Sequence, residues 1–183
     1  NKMAMAPMGP IGYADPHYAY NQRLQDYYVE RAKGGIGLII TGVTTVNVDV
    51  EGIEAPGMPC VTKCPKAFVH NASQMNERIH AYGTKIFLQM TANAGRSTMP
   101  GMVKNMIAPS AQGNRFDPSV QHREMKKEEI AQYTKDFVKG AMIAKRAGFD
   151  GVEIHAVHEG YLLDQFAIAI YNHREDEYGG SLE

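Results

Sequence analysis

The sequence lacks an excess of charge of either sign. Its 19 lysines and arginines nearly balance 20 aspartates and glutamates, which leaves a net charge of -1. Proteins that bind nucleic acid or anionic membranes by electrostatic attraction carry a strongly basic surface. We therefore predict no nucleic-acid partner.

Long apolar runs are absent as well. Apolar residues make up 44% of the 183 residues, yet no run approaches the roughly 18 residues that a membrane-spanning helix needs. The first ten residues, NKMAMAPMGP, contain no apolar segment typical of a signal peptide. These absences predict a soluble protein with no membrane partner.

Cysteine is scarce, with two residues in the chain. Cys60 and Cys64 lie in one turn-rich stretch, which is not the pattern of an extracellular disulfide framework. An iron–sulfur cluster normally takes four thiolates. We therefore expect two free thiols and no metal, in a cytoplasmic protein.

A helical pattern, a glycine and an apolar strand recur three times after a first short strand. Few charges interrupt the strands, as expected for a parallel sheet covered on both faces. A closed barrel of this type needs eight strands and about 250 residues. We therefore predict an α/β fold comprising the first four βα units of a (β/α)8 TIM barrel, a half-barrel in which residues 1–183 form a single domain. An open doubly wound sheet is the alternative, which strand order would exclude. The predicted strands are 2–6, 36–41, 85–90 and 151–155, and the predicted helices are 20–34, 65–82 and 127–147.

Polar side chains follow these strands at the edge where parallel α/β folds bind ligands. Gln89 ends an apolar strand, and its amide can donate and accept at once, as a heterocyclic imide edge requires. The alternative is a glutamine that only satisfies neighbouring backbone groups. Arg96 follows the same strand and offers a cation to an anionic ligand, although an arginine in a solvated loop is the commoner case.

Two histidines and a tyrosine follow the last predicted strand. His155, His158 and Tyr161 offer donors for an oxyanion and a candidate proton source. A metal site that uses Glu159 is an alternative, but the H-x-x-H-E spacing matches no known ligand pattern. Purely structural histidines are the other alternative.

Taken together, these motifs resemble the old yellow enzyme family of flavin-dependent ene-reductases. The resemblance covers essentially the whole chain, and it is most similar to the branch that contains 2-enoate reductase and bile-acid-inducible NADH:flavin oxidoreductases. It rests on Ala6-Pro7-Met8, Gln89, Gly95-Arg96, and the segments GVEIH, GYLLDQF, NHR and DEYGGSLE between residues 151 and 183.

The resemblance implies FMN at the carboxyl ends of the strands and NAD(P)H as the hydride donor. It places Gln89 at the pyrimidine edge of the flavin. An iron–sulfur cluster and FAD are possible in a longer parent chain, but these residues would not bind them. The residues implied to lie against or near the isoalloxazine ring are Pro7, Met8, Gly9, Gly42 and Val43.

The same resemblance implies a small α,β-unsaturated substrate, such as an enoate. His155 and His158 would bind its activating carbonyl or carboxylate, and Tyr161 would lie near the α-carbon as a catalytic proton donor. Gly9 stands where many members of the family have threonine or cysteine. A non-catalytic half-barrel that acts as a binding or assembly module is the alternative function. In either case we expect a homo-oligomer or association through the open barrel edge.

Overall fold

A computed structural model of the chain describes residues 1–9, 12–53, 57–158 and 161–180. The strands are β1 (Ala4–Met5), β2 (Leu38–Ile40), β3 (Thr44–Thr45), β4 (Lys85–Thr91), β5 (Ile107–Ala108), β6 (Gln112–Gly113), β7 (Gln121–Glu124) and β8 (Gly151–Ile154). The helices are α1 (Gln22–Lys33), α2 (Pro65–His80), α3 (Lys127–Arg146) and α4 (Leu162–Ala167), and a 3-10 turn covers Gly95–Ser97. None of the described helices is long and apolar enough to cross a membrane.

A parallel sheet contains β1, β2, β3, β4 and β8. β2 pairs with β1 and β4, and β4 also pairs with β8, all in parallel. α1 lies between β1 and β2, α2 between β2 and β4, and α3 directly before β8, so the predicted βα repeat is confirmed. In an open doubly wound sheet the strand order reverses partway across the sheet. Here β1, β2, β4 and β8 follow one another in one direction, which excludes that alternative.

Local signals explain where these helices begin and end. The Asn21 side chain accepts the main-chain N–H of Leu24 at 3.0 Å, which caps α1. Pro65 occupies the first turn of α2, where its missing N–H costs nothing. After α3 the chain turns at Gly148, which has a φ of +82°. The observed bounds therefore fall within two residues of those predicted from periodicity.

The sequence prediction of four strands missed several short elements. β3 has two residues and pairs with the end of β4. Between β4 and α3, β7 pairs in parallel with β5 and antiparallel with β6. α4 was also missed. Strands of two residues and a helix of six residues are too short to carry a recognisable period.

The chain divides into two compact units. The sheet unit contains Asn1–Asn47, Pro56–Thr91 and Thr134–Ile154, and the loop unit contains Val48–Ala55, Ala92–Tyr133 and His155–Glu183. A single domain over residues 1–183 stays a prediction. The expectation that both faces of every strand are covered is wrong for β8 in this chain, since Val152 and Ile154 are 38% and 53% exposed.

Candidate functional site

In the sheet unit, the segment after β1 meets the segment after β2. A Cβ built on Gly9 would lie 3.3 Å from Cγ2 of Val43, so a larger residue at position 9 requires Val43 to shift. Met8 is 58% exposed, and Pro7 is half-buried. The structure thus brings Gly9 and Val43 together, while contact of these residues with a flavin stays a prediction.

Two buried tyrosines hold the turn that contains Gly42. The Gly42 N–H donates to the hydroxyl of Tyr28 at 2.8 Å, and burial raises the pKa of Tyr28. The hydroxyls of Tyr20 and Thr44 lie 2.7 Å apart, and burial raises the pKa of Tyr20 to about 12. Both phenols are therefore neutral at physiological pH. Sequence analysis missed this support, although Tyr20 and Tyr28 lie in the predicted helix 20–34.

Gln89 is held at its main chain and at its side chain. Its N–H donates to Oγ1 of Thr41 at 3.0 Å, and its Nε2 donates to Oε1 of Glu153 at 2.7 Å. The residue is 4% exposed. Within the described residues, its amide oxygen has no hydrogen-bond donor. A buried amide that keeps one acceptor and one N–H for a ligand matches the donor–acceptor pattern of an imide edge.

In the loop unit, three predicted site residues come together after β8. The ring centroids of His155 and His158 are 5.1 Å apart. Tyr161 lies 5.4 Å from His155 and 4.6 Å from His158 on the same measure. The cluster therefore presents two imidazoles and a phenol over a short distance. Its role in binding a substrate stays a prediction.

The alternatives based on metal find no added support in the described part of the chain. No group of three or more histidines, cysteines, aspartates or glutamates there is arranged to hold a metal ion. Glu159, which the metal alternative uses, lies outside the described residues. Cys60 and Cys64 are both free thiols.

Arg96, the predicted cation after β4, contacts an aromatic ring. Its guanidinium lies 4.7 Å from the ring centroid of Tyr171, a cation–π contact.

A buried polar network in the loop unit was not predicted. Glu51 is 1% exposed, and its Oε2 accepts a hydrogen bond from the Tyr133 hydroxyl at 3.3 Å. The Asn93 amide donates to the same hydroxyl at 3.1 Å. Burial raises the pKa of Glu51 to about 8, so this carboxyl is mainly protonated at neutral pH. Each residue comes from a different segment, and no local pattern in the sequence links them.

Comparison with protein families gives one match over the whole chain. Residues 1–183 match the model of the NADH:flavin oxidoreductase / NADH oxidase family. The chain is 55% identical over 184 residues to a cinnamate reductase of Clostridium sporogenes, covering 100% of this chain and 28% of that protein. It is 39% identical over 186 residues to an NADH oxidase of Thermoanaerobacter brockii, covering 100% of this chain and 27% of that protein.

Solved structures share the fold over nearly the whole chain. The old yellow enzyme homologue from Zymomonas mobilis has a TM-score of 0.80 at 33% identity, with 99% of this chain and 51% of that chain covered. Morphinone reductase in complex with tetrahydroNAD has a TM-score of 0.80 at 29% identity, with 99% and 52% covered. The chain therefore spans about half the length of these solved proteins and about a quarter of the two sequence relatives.

Proposed function

Because the chain belongs to the NADH:flavin oxidoreductase / NADH oxidase family, we propose that the protein is an FMN-dependent ene-reductase. It would use NAD(P)H to reduce the activated C=C bond of an enoate or a related carbonyl compound. The observation that carries this proposal is the cluster of His155, His158 and Tyr161 directly after β8. The 55% identical relative, whose name specifies an unsaturated carboxylate, supports the substrate class.

FMN, when bound, would supply the centre that accepts hydride from the nicotinamide and delivers it to the substrate. Gln89 would hold the pyrimidine edge, because its buried amide offers the matching acceptor and donor. The other residues proposed to hold the flavin are Pro7, Met8, Gly9, Gly42 and Val43. An iron–sulfur cluster and FAD would need residues beyond these.

The histidines would activate the substrate through its oxygen. Ring N–H groups of His155 and His158 would donate to the carbonyl or carboxylate oxygen. As a hydride adds to the β-carbon, the C=C π electrons shift toward this oxygen, and the two donors stabilise the enolate charge that develops. The Tyr161 hydroxyl would then give its proton to the α-carbon, which completes the saturated product.

Replacing both histidines by alanine in the full-length protein tests this assignment. Flavin reduction by NAD(P)H should stay largely intact, since that half-reaction has no substrate oxyanion. Reoxidation by an enoate should slow by roughly a hundredfold or more, the usual cost of losing an oxyanion donor. Stopped-flow absorbance follows both steps. If flavin reduction collapses and enoate-driven reoxidation is unchanged, the histidines do not anchor the substrate.

The exposed apolar surface of the sheet unit supports a proposal about assembly. Val138 and Met142 on α3 are 64% and 53% exposed, and Val152 and Ile154 on β8 are also exposed. We place these exposed apolar residues, and the outer edge of β8, against further polypeptide, either a second copy or the remainder of a longer chain. We also propose a cytoplasmic location and no nucleic-acid or membrane partner. A full-length protein that purifies without flavin would favour the non-catalytic assembly module instead.

A further inference from the structure

α4 is fixed to the loop that precedes and includes the 3-10 turn. The Gln165 side chain, fully buried, donates from Nε2 to the carbonyl of Ala94 at 3.0 Å. Its Oε1 accepts the N–H of Arg96 at 3.2 Å. The N–H of Leu162 donates to the carbonyl of Asn93 at 3.3 Å. Three hydrogen bonds thus give this short helix a defined place within the loop unit.

Asp164 extends from this anchored helix to the histidine cluster. The residue is 5% exposed, and its Oδ2 accepts a hydrogen bond from the main-chain N–H of His158 at 3.1 Å. A buried carboxylate is costly unless hydrogen bonds compensate it. The same helix begins immediately after Tyr161, its N-cap residue. Asp164 therefore connects the backbone at His158 to the helix that carries Tyr161.

We infer that Asp164 is a positioning residue, which sets the His158 imidazole beside the Tyr161 phenol so that both groups address one substrate. This inference rests on the proposed function. The hydrogen bond joins the carboxylate to the backbone of His158, so Asp164 acts on the imidazole by fixing the position of the chain. Gln165 differs from it, because these two hydrogen bonds join α4 to the backbone on either side of Gly95.

The test compares Asp164→Ala, which removes the acceptor, with Asp164→Asn, which keeps an acceptor oxygen, in the full-length flavoprotein. We expect Asp164→Ala to slow enoate-driven reoxidation about tenfold and to weaken binding of 3-phenylpropanoate by a similar factor, the usual effect of losing a hydrogen bond to a charged group. Flavin reduction by NADH should not change. Asp164→Asn should restore most of the wild-type rate. Glu175→Gln, at an exposed position, controls for the lost charge.

Stopped-flow kinetics and calorimetry give these values, and amide hydrogen exchange at His158 reports the hydrogen bond itself. Faster exchange in Asp164→Ala with normal reoxidation would make Asp164 merely structural. An Asp164→Asn variant that keeps slow exchange at His158 but is reoxidised about tenfold more slowly than wild type would also overturn the inference, and this comparison remains if Asp164→Ala fails to fold. A wild-type protein that reduces no enoate overturns the proposed function as well. If the wild-type protein reduces the enoate and Asp164→Ala does so at the same rate, this inference alone is overturned.

Discussion

Most buried side chains of the sheet unit are apolar, whereas polar residues are at least as frequent as apolar ones among the buried side chains described in the loop unit. In the sheet unit, Phe68, Ile79, Ile86 and Leu88 are all fully buried. In the loop unit, Glu51, Asn114, His122 and Arg174 are each at most 6% exposed. Apolar burial depends mainly on area and volume, while a buried polar group requires one matching partner. Single polar substitutions should therefore damage the loop unit more.

Arg174 is the strongest example of this dependence. Its guanidinium donates to the carbonyls of Pro109 and Met125 at 2.9 and 2.7 Å. It also binds the carboxylate of Asp176 through Nε and a terminal nitrogen. These bonds hold the segment after α4 to the ends of β5 and β7. The guanidinium holds the pKa of Asp176 at about 2.

The largest expected effect follows from removing this guanidinium. Arg174→Ala leaves two buried carbonyls without their charged donor, so we expect the free energy of unfolding to fall by about 3–5 kcal/mol. Arg174→Lys keeps the charge but loses the planar set of donors. Its free energy of unfolding should lie between those of the wild type and Arg174→Ala. Urea unfolding of the full-length protein, followed by circular dichroism, measures both. A loss below about 1 kcal/mol in Arg174→Ala would contradict the proposed difference between the units.

Glu51 gives the second effect, which depends on pH. Its pKa is raised to about 8 in the folded protein, above its ordinary value near 4.5. Between these values the unfolded chain releases the proton while the folded chain keeps it, so this residue lowers stability as pH rises. The decrease should be about 3–4 kcal/mol between pH 5 and 8, because each pH unit between the two pKa values costs about 1.4 kcal/mol.

Glu51→Gln removes this titration and should flatten the stability profile over that range. Urea unfolding at pH 5 and pH 8 provides the comparison. Glu175→Gln, exposed, is the control for a changed carboxylate elsewhere in the loop unit. A variant with the wild-type slope would show that another group titrates.

Gln89 provides a smaller effect in the sheet unit, on binding instead of folding. Gln89→Ala in the full-length protein should raise the dissociation constant for FMN about tenfold, since one amide that faces the imide edge is lost. Flavin retention after dialysis, measured by absorbance, gives the ratio. Gln74→Ala, exposed on α2, is the control. Unchanged retention would remove Gln89 from the proposed flavin site.

The smallest effect belongs to a surface ion pair of the sheet unit. Arg78 and Asp26 are 2.7 Å apart, and their side chains are 43% and 50% exposed. Solvent screens such pairs. Arg78→Ala should therefore leave the unfolding midpoint unchanged within error, in direct contrast to Arg174→Ala. A large shift would show that arginines of both units stabilise the fold to a similar degree.

The parts of the fold that could be predicted are those with repetition. α1, α2 and α3 each show apolar positions at three-to-four spacing, and β2 lies within the continuous apolar run 36–41, so their positions followed from sequence. The bounds of β5, β6 and β7 did not follow from sequence, because strands of two to four residues form only by pairing with segments that are distant in the chain. The same reasoning applies to the β3 pair of threonines.

For the candidate site, residue type at strand ends was informative. Gln89 and His155 were found because a polar side chain interrupts or follows an apolar strand. The association of Glu51 with Asn93 and Tyr133 was not found, since three isolated polar residues in separate segments give no signal until the chain folds. The support from Asp164 was missed for the same reason, because α4 itself was missed.

The packing of Gly95 against Gln165 limits how this sequence can change. Gly95 has a φ of +50°, and a Cβ there would lie 2.6 Å from the Gln165 amide oxygen. The Gln165 amide already forms hydrogen bonds with the backbone of Ala94 and of Arg96, on either side of Gly95. A side chain at position 95 therefore clashes with Gln165 unless residue 165 is shorter, and the positive φ strains it in either case, so the two substitutions are non-additive. During divergence, the two positions should vary as a pair or remain fixed together.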